Sequence, residues 1–168
     1  AAVPPPRVER LSDRHDRTVF ASGVDPLDRY LRMPASQDVR RRVAACFVLV
    51  AGDDPATIGY YTLAAASVAL VDLPEKLTKR LPRYPTVPAI LMRRLAVDER
   101  HRGRRFGEFL LFDAFSRALR SDIASYAFIV DAKDDTAARF YSRYRFLSLT
   151  RGGRRLFLPM AEVAKLFA

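Results

Sequence analysis

Sulfur chemistry is almost absent from this chain of 168 residues. Its one cysteine, Cys46, has no partner for an internal disulfide, and the apolar run Val43 to Val50 around it predicts a buried thiol. Histidine is nearly as scarce. His15 lies near the start and His101 beside a cluster of arginines, where a solvated role is expected, so no general base is evident and no metal site is expected. Lysine occurs only at Lys76, Lys79, Lys133 and Lys165, which leaves arginine to carry most of the positive charge. Long apolar runs are missing too: Leu63 to Val71 is too short to span a bilayer. Ala1 to Arg10, with Pro4, Pro5 and Pro6, holds no apolar signal-peptide core, so the expectation is a cytoplasmic protein without a membrane partner. Repeats, low-complexity tracts and linkers are also lacking, and 1–168 reads as a single domain, with 1–6 flexible.

Charge and short strand- and helix-like segments are what the chain does have. A total of 29 Lys and Arg against 19 Asp and Glu leaves a net charge of +10, which points to an anionic partner such as nucleic acid, a phosphorylated ligand or an acidic protein. Asp25-Pro26 starts a helix with Leu27, Tyr30 and Leu31 on one face, Met33-Pro34 ends it, and Ser36 to Arg42 reads as a mobile or partner-facing stretch. Val43–Val50 and Ile58–Leu70 form a hairpin around the turn Gly52-Asp-Asp-Pro55, and Asp72 to Leu81 reads as a short helix. Tyr126 to Val130 is a strand, Asp134 or Asp135 caps a helix to about Tyr144, and Arg145–Thr150 and Arg154–Leu158 are strands joined through Gly152-Gly153. Met160–Phe167 closes the chain as a short amphipathic helix. This order predicts an α/β fold with one mixed sheet and helices on both faces.

The centre of that order is the stretch Ile90 to Leu119. An apolar strand-like run, Ile90 to Asp98, enters a turn with Arg100, Arg102, Gly103, Arg104, Arg105 and Gly107, which opens into a helix. The first N–H groups of a helix have no internal partner and carry partial positive charge, so the arrangement suits a diphosphate. An ordinary surface turn with solvated arginines accounts for the spacing equally well. The strands at Ile90 and Tyr126, joined by this helix, make a parallel crossover.

Arg94-Leu-Ala-Val-Asp98, the turn Arg102 to Gly107 and Ala138-Arg-Phe-Tyr-Ser-Arg-Tyr-Arg-Phe146 resemble the GCN5-related N-acetyltransferase (GNAT) superfamily. The resemblance implies a GNAT fold, with a mixed, mostly antiparallel sheet and acetyl-CoA as co-substrate, its pyrophosphate on the turn and its pantetheine arm along the preceding strand. The turn pattern of that superfamily is Gln or Arg, two residues, Gly, one residue, then Gly or Ala. Arg102 and Gly107 match its ends, whereas Arg105 stands at the middle glycine and is expected in an ordinary helical conformation. The acetyl-CoA residues implied are Leu95, Ala96, Val97, Arg102, Gly103, Arg104, Arg105, Phe106 and Gly107.

A narrower resemblance runs through Phe20-Ala-Ser-Gly23, Leu27-Asp-Arg-Tyr-Leu31, Gly59-Tyr-Tyr-Thr-Leu63, Arg94 to Asp98 and Asp131-Ala-Lys-Asp134 up to Phe140-Tyr141. In that order these motifs are similar to the acetyltransferase toxins of bacterial toxin–antitoxin modules. The resemblance implies acetylation of the α-amino group of aminoacyl-tRNA, which blocks translation, and a cognate antitoxin that is a small DNA-binding protein. By position in the family, Tyr141 is the catalytic proton donor; without the resemblance it reads as a packing tyrosine beside Phe140 and Tyr144. An α-amine, with a pKa of about 7.7 to 8.0, is roughly a tenth neutral at pH 7 and needs no strong base.

For tRNA the arginines outside the turn are Arg40, Arg41, Arg42, Arg93, Arg94, Arg139, Arg143, Arg145, Arg151, Arg154 and Arg155. Tyr60 or Tyr61 either stacks on the aminoacyl end or packs in the sheet. Lys133 assists acetyl-CoA binding or is a solvated neighbour of a cap. Antitoxin contact is expected on Ser36–Arg42 and the C-terminal strands, and a homodimer would widen the basic surface. Two alternatives stay open: the same chemistry on a protein N-terminus or small amine, and a non-catalytic RNA- or protein-binding module.

Overall fold

The computed structural model describes residues 4–149 and 153–168. They form two compact units. The first takes in the chain up to Ala64 together with Arg94–Ala114, and the second Ala65–Arg93 together with Phe115 onward.

In the first unit, β1 (Pro6–Arg10) pairs antiparallel with β2 (Ala45–Ala51), which pairs antiparallel with the first part of β3 (Asp54–Ala69). Two chain segments lie between β1 and β2. Helix α1 (Asp25–Arg32) has Asp25 and Asp28 in its first turn and Arg29 and Arg32 in its last, the polarity that the helix dipole favours. The helix begins one residue earlier than the proline signal suggests, because Val24 and not Asp25 is the capping residue.

The expected mobile stretch after Met33 is instead a second helix, α2 (Pro34–Arg40). Pro34 opens it, Ala35 is fully buried, and the Tyr30 hydroxyl donates to Asp38 at 2.8 Å, so packing and one hydrogen bond hold a polar segment that pattern alone leaves loose. Under these helices lies a core of Phe20, Tyr30, Leu31, Ala35, Cys46, Val48, Val50, Tyr60 and Ala96. The buried Cys46 thiol is pushed up to about 12 by loss of solvent, as a structural cysteine is.

In the second unit, the sheet order is the end of β3, β4 (Thr86–Met92), β6 (Ala127–Asp131), β8 (Arg155–Pro159) and β7 (Leu147–Ser148). The expected parallel crossover is β4 with β6, in register from Ala89↔Ala127 to Met92↔Val130. The short helix predicted over Asp72–Leu81 shrinks to α3 (Glu75–Thr78), which a 3-10 turn at Leu70–Asp72 precedes. Helix α5 (Asp135–Ser142) is capped by Asp134, which accepts from the Ala137 N–H at 2.8 Å, and α6 (Met160–Lys165) closes the chain. Of the expected Gly152-Gly153 turn, Gly152 lies outside the described residues, and Gly153 has φ +58°.

The main departure from the sequence reading falls at the centre. Ile90 to Asp98 is two strands: β4 stops at Met92, and β5 (Leu95–Val97) pairs with β3. Arg93 and Arg94 are the break, since two consecutive arginines cannot both follow the alternation into a core. Arg93 turns to Asp131 at 3.6 Å, and the Arg94 guanidinium lies 3.5 Å above the Tyr30 ring.

Candidate active site

Strand β5 is short and one-sided. Gly59, Tyr60 and Tyr61 of β3 stand opposite Val97, Ala96 and Leu95. Hydrogen bonds from Thr62 N–H to Arg94 O (3.1 Å) and from Asp98 N–H to Ile58 O (2.8 Å) flank this register. Antiparallel alternation then makes Tyr60 and Ala96 the bonded pair and turns the main-chain N–H and C=O of Leu95 and Val97 to the opposite edge. Among the described residues no strand covers that edge. Gly59 lets β5 come this close: a Cβ on it would lie 2.9 Å from the Ala96 carbonyl oxygen and 2.9 Å from Leu110 Cδ1.

Three residues further on, the chain makes a 3-10 turn at Glu99–His101 and then the arginine turn, before α4 (Phe106–Arg120) begins. Gly103 has φ +81° with open space around it. Arg105 has φ +59°, so the expectation of ordinary helical backbone there is wrong: this arginine takes the left-handed conformation that the family's middle glycine would adopt freely. For a residue with a side chain that conformation costs roughly 1–2 kcal/mol. The cost falls where the chain bends into α4, whose first intrahelical bond runs from Phe109 N–H to Arg105 O at 3.0 Å. The N–H groups of Phe106, Gly107 and Glu108 are thereby left for an outside acceptor. Arg104 and Arg105 are exposed beside them, with the Arg105 side chain 88% exposed.

Arg102 reaches back to an earlier loop instead, although its side chain stays 63% exposed. Its Nη2 donates to the Ser22 carbonyl at 2.7 Å, and with Asp98 it clamps the loop Phe20–Gly23 to the end of β5. Asp98 is 1% exposed and accepts from Ala21 N–H (3.1 Å), Arg100 N–H (2.9 Å) and Arg100 Nε (2.9 Å), while Glu99 N–H donates to Ala21 O. Burial alone raises a carboxyl pKa, but here the hydrogen bonds and charge of Arg100 and the Ala21 N–H outweigh it and hold Asp98 below its ordinary value. On the other side of the loop, Ser22 N–H and Oγ both donate to Asp28 Oδ1, at 3.0 and 2.6 Å. Asp98, Ser22 and Asp28 stand inside the motifs that carry the resemblance, but their sequence positions alone give them no role. An acid placed directly between an alternating strand and an arginine turn is the signal that marks Asp98.

Tyr141 belongs to the second unit. It sits near the end of α5 with 4% exposure, its ring against Phe140 (5.2 Å) and Phe146 (5.5 Å). Its hydroxyl has no hydrogen-bond partner among the described residues. Burial, and then the negative charge of Asp131, raise its pKa, so the phenol stays protonated at neutral pH.

Other candidates fare differently. Tyr60 and Tyr61 are fully buried, donating to Leu27 O and Asp113 Oδ2 at 2.6 Å each, so neither offers a face for stacking. His15 is buried, with Nδ1 accepting from Ser12 N–H (3.0 Å) and Nε2 against Glu9 (2.8 Å), which commits it to its loop. Lys133 is exposed. Arg155 and Arg93 share Asp131, Arg154 pairs with Asp135, and Arg40, Arg41 and Arg42 are exposed. Arg151 lies outside the described residues.

A bare strand edge leading into a left-handed turn and an exposed helix N-terminus has the geometry to take an extended amide arm and an anion in series. A profile of the acetyltransferase (GNAT) family matches residues 14–146. The chain belongs to that family. It is 39% identical over 139 residues to a tRNA-acetylating toxin of Mycobacterium tuberculosis, covering 82% of this chain and 81% of that protein. The crystal structure of a tyrosine-to-phenylalanine mutant of KacT is similar with a TM-score of 0.89 at 26% identity, covering 96% of this chain and 99% of that one. AtaT complexed with acetyl-methionyl-tRNAfMet gives a TM-score of 0.86 over 98% of this chain and 100% of that one, at 24% identity, a likeness that speaks for the fold alone. As a GNAT acetyltransferase the chain takes acetyl-CoA as its acetyl donor. Among the described residues no helix is long and apolar enough to cross a membrane.

Proposed function

We propose that this acetyltransferase is the toxin of a toxin–antitoxin module and acts in the cytoplasm, moving acetyl from acetyl-CoA to the α-amino group of aminoacyl-tRNA. The bare edge of β5 running into the arginine turn carries the donor half of the reading. The relative named as a tRNA-acetylating toxin and the net charge of +10 support the acceptor half. A cognate antitoxin, a small DNA-binding protein, is the partner that keeps such a toxin silent.

Main-chain groups of Leu95 and Val97 pair with the pantetheine arm, and an N–H there polarises the thioester carbonyl. Phe106 and Gly107 N–H groups, with Arg104 and Arg105, hold the diphosphate, while Gly103 gives the turn its reach; Arg102 and Ala96 act by holding turn and strand in place. The neutral α-amine attacks the thioester carbon and forms the C–N bond. The C–S bond breaks, the thiolate takes the proton of the Tyr141 hydroxyl, and the proton lost by the amine returns to the phenolate. N-acetyl-aminoacyl-tRNA and CoA thiol are the products, and the enzyme is regenerated.

The test is transfer of labelled acetyl from acetyl-CoA to a total charged-tRNA pool. Tyr141→Phe removes the proton and keeps the ring, so kcat is expected to fall by about 10²–10⁴ with little change in either KM. Label that appears only on protein N-termini or small amines would overturn the acceptor; an unchanged kcat in Tyr141→Phe would remove that residue from the chemistry.

A further inference from the structure

One feature of the first unit is not used by donor binding. An open pocket of about 620 Å³ is lined by Pro26, Leu27, Tyr30, Met33 and Pro34, with Arg29, Arg32 and Arg94 around it. Its lining is mainly apolar and contains no carboxylate. The Arg94 guanidinium lies flat enough on Tyr30 to bring its carbon 3.5 Å from the ring centroid, and among the described residues it has no ion pair. A cation left without a counter-ion, held on an aromatic ring and facing an apolar hollow, is a stacking platform. The second unit's pocket, of about 440 Å³, differs: its Arg155 is already neutralised by Asp131 at 2.8 Å.

The position follows from chain order. With the diphosphate at residues 102–107, the pantetheine arm runs back along β5 from Val97 to Leu95, and the thioester ends beside Leu95. Arg94 is the next residue, so the pocket opens at the acetyl end of the donor. The adenosine of CoA lies beyond the diphosphate, at the opposite end of the arm, and is not the occupant.

We propose that this pocket binds the 3′-terminal adenosine of the acceptor tRNA, with the adenine stacked on Arg94 and the phosphates before it on Arg29 and Arg32. The inference rests on the tRNA reading above. A single purine nucleoside fits the volume, and single-stranded RNA ends are read by stacking on aromatic rings and guanidinium planes. The aminoacyl ester is one ribose away from the base, which brings its α-amine to Leu95. Recognition of this kind is common to all tRNAs, so the choice among them rests on other contacts.

The probe is a tRNA whose terminal adenosine is replaced by 2-aminopurine riboside, titrated with the full chain. Stacking quenches its fluorescence; the quench is expected with the natural protein and is lost in Arg94→Lys, which keeps charge but not the plane. In steady-state transfer, Arg94→Lys raises KM for charged tRNA about tenfold, with kcat and KM for acetyl-CoA within about twofold. Met33→Glu, at a side chain 66% exposed, leaves folding intact and raises the tRNA KM by repelling the phosphates. Binding of the probe without quenching, equal quenching in Arg94→Lys, or a KM that follows the amino acid while the probe stays silent would each overturn the adenosine assignment. A chain that binds acetyl-CoA yet acetylates no charged tRNA would remove the function itself, a result visible before any titration.

Discussion

Asp98 is the side chain that ties the donor end of the first unit together, because one buried carboxylate receives bonds from Arg100 and from Ala21, 77 residues earlier. Asp98→Ala is expected to cost about 2–4 kcal/mol, since the Ala21 N–H loses its acceptor and the loop its anchor; chemical denaturation measures it. The pH dependence has a definite sign. The folded pKa of Asp98 is depressed, so its stabilisation is complete above the unfolded value of about 4 and is lost as pH falls through the folded value. Glu9, held to about 2 first by His15 and then by Arg7 and Arg14, works in the same window. Acid titration of the natural protein is therefore expected to show a fall in stability below about pH 4 that is shallower in Asp98→Ala.

At the scale of elements, β5 and the turn after it carry the proposed donor site. Gly59→Ala puts a methyl 2.9 Å from both a main-chain oxygen and a leucine of α4, and neither the strand nor the helix can yield without opening the β3–β5 pair. A stability loss of about 1–3 kcal/mol is expected, together with a raised KM for acetyl-CoA, read by thermal unfolding and kinetics. Arg105→Gly acts in the other direction. It relieves the left-handed strain and raises stability by about 0.5–1 kcal/mol, whereas Arg105→Ala keeps the strain and loses only the guanidinium. Weaker acetyl-CoA binding in both variants identifies the guanidinium as the contact; weaker binding in the glycine variant alone identifies the preset backbone.

For the whole molecule the governing quantity is the excess of ten positive charges. If four or more phosphates are neutralised, affinity for charged tRNA falls by about a hundredfold between roughly 50 and 200 mM salt, while that for acetyl-CoA falls much less. Measuring both across one salt series separates the two. Inhibition by an antitoxin with an acidic tail is expected to weaken along the same series; inhibition that ignores salt would show an apolar contact instead.

Local chemistry is what the sequence by itself determined. The apolar runs of β2 and β3, the Asp134 cap and the arginine turn before α4 each depend on neighbours within a few residues and could be read from them, and the strand–helix–strand order gave the parallel crossover from β4 to β6. The family motifs could be read for the same reason. Tertiary structure alone decided where those pieces bond. Nothing local says that Asp98 receives Ala21, that Tyr60 and Tyr61 spend their hydroxyls inside, that Arg93 and Arg94 split one apolar run into two strands, or that a polar stretch folds as α2 because Tyr30 reaches Asp38. Those outcomes depend on groups that are not immediate neighbours in the chain, and a hydrogen bond between such groups forms only once the fold has brought them together.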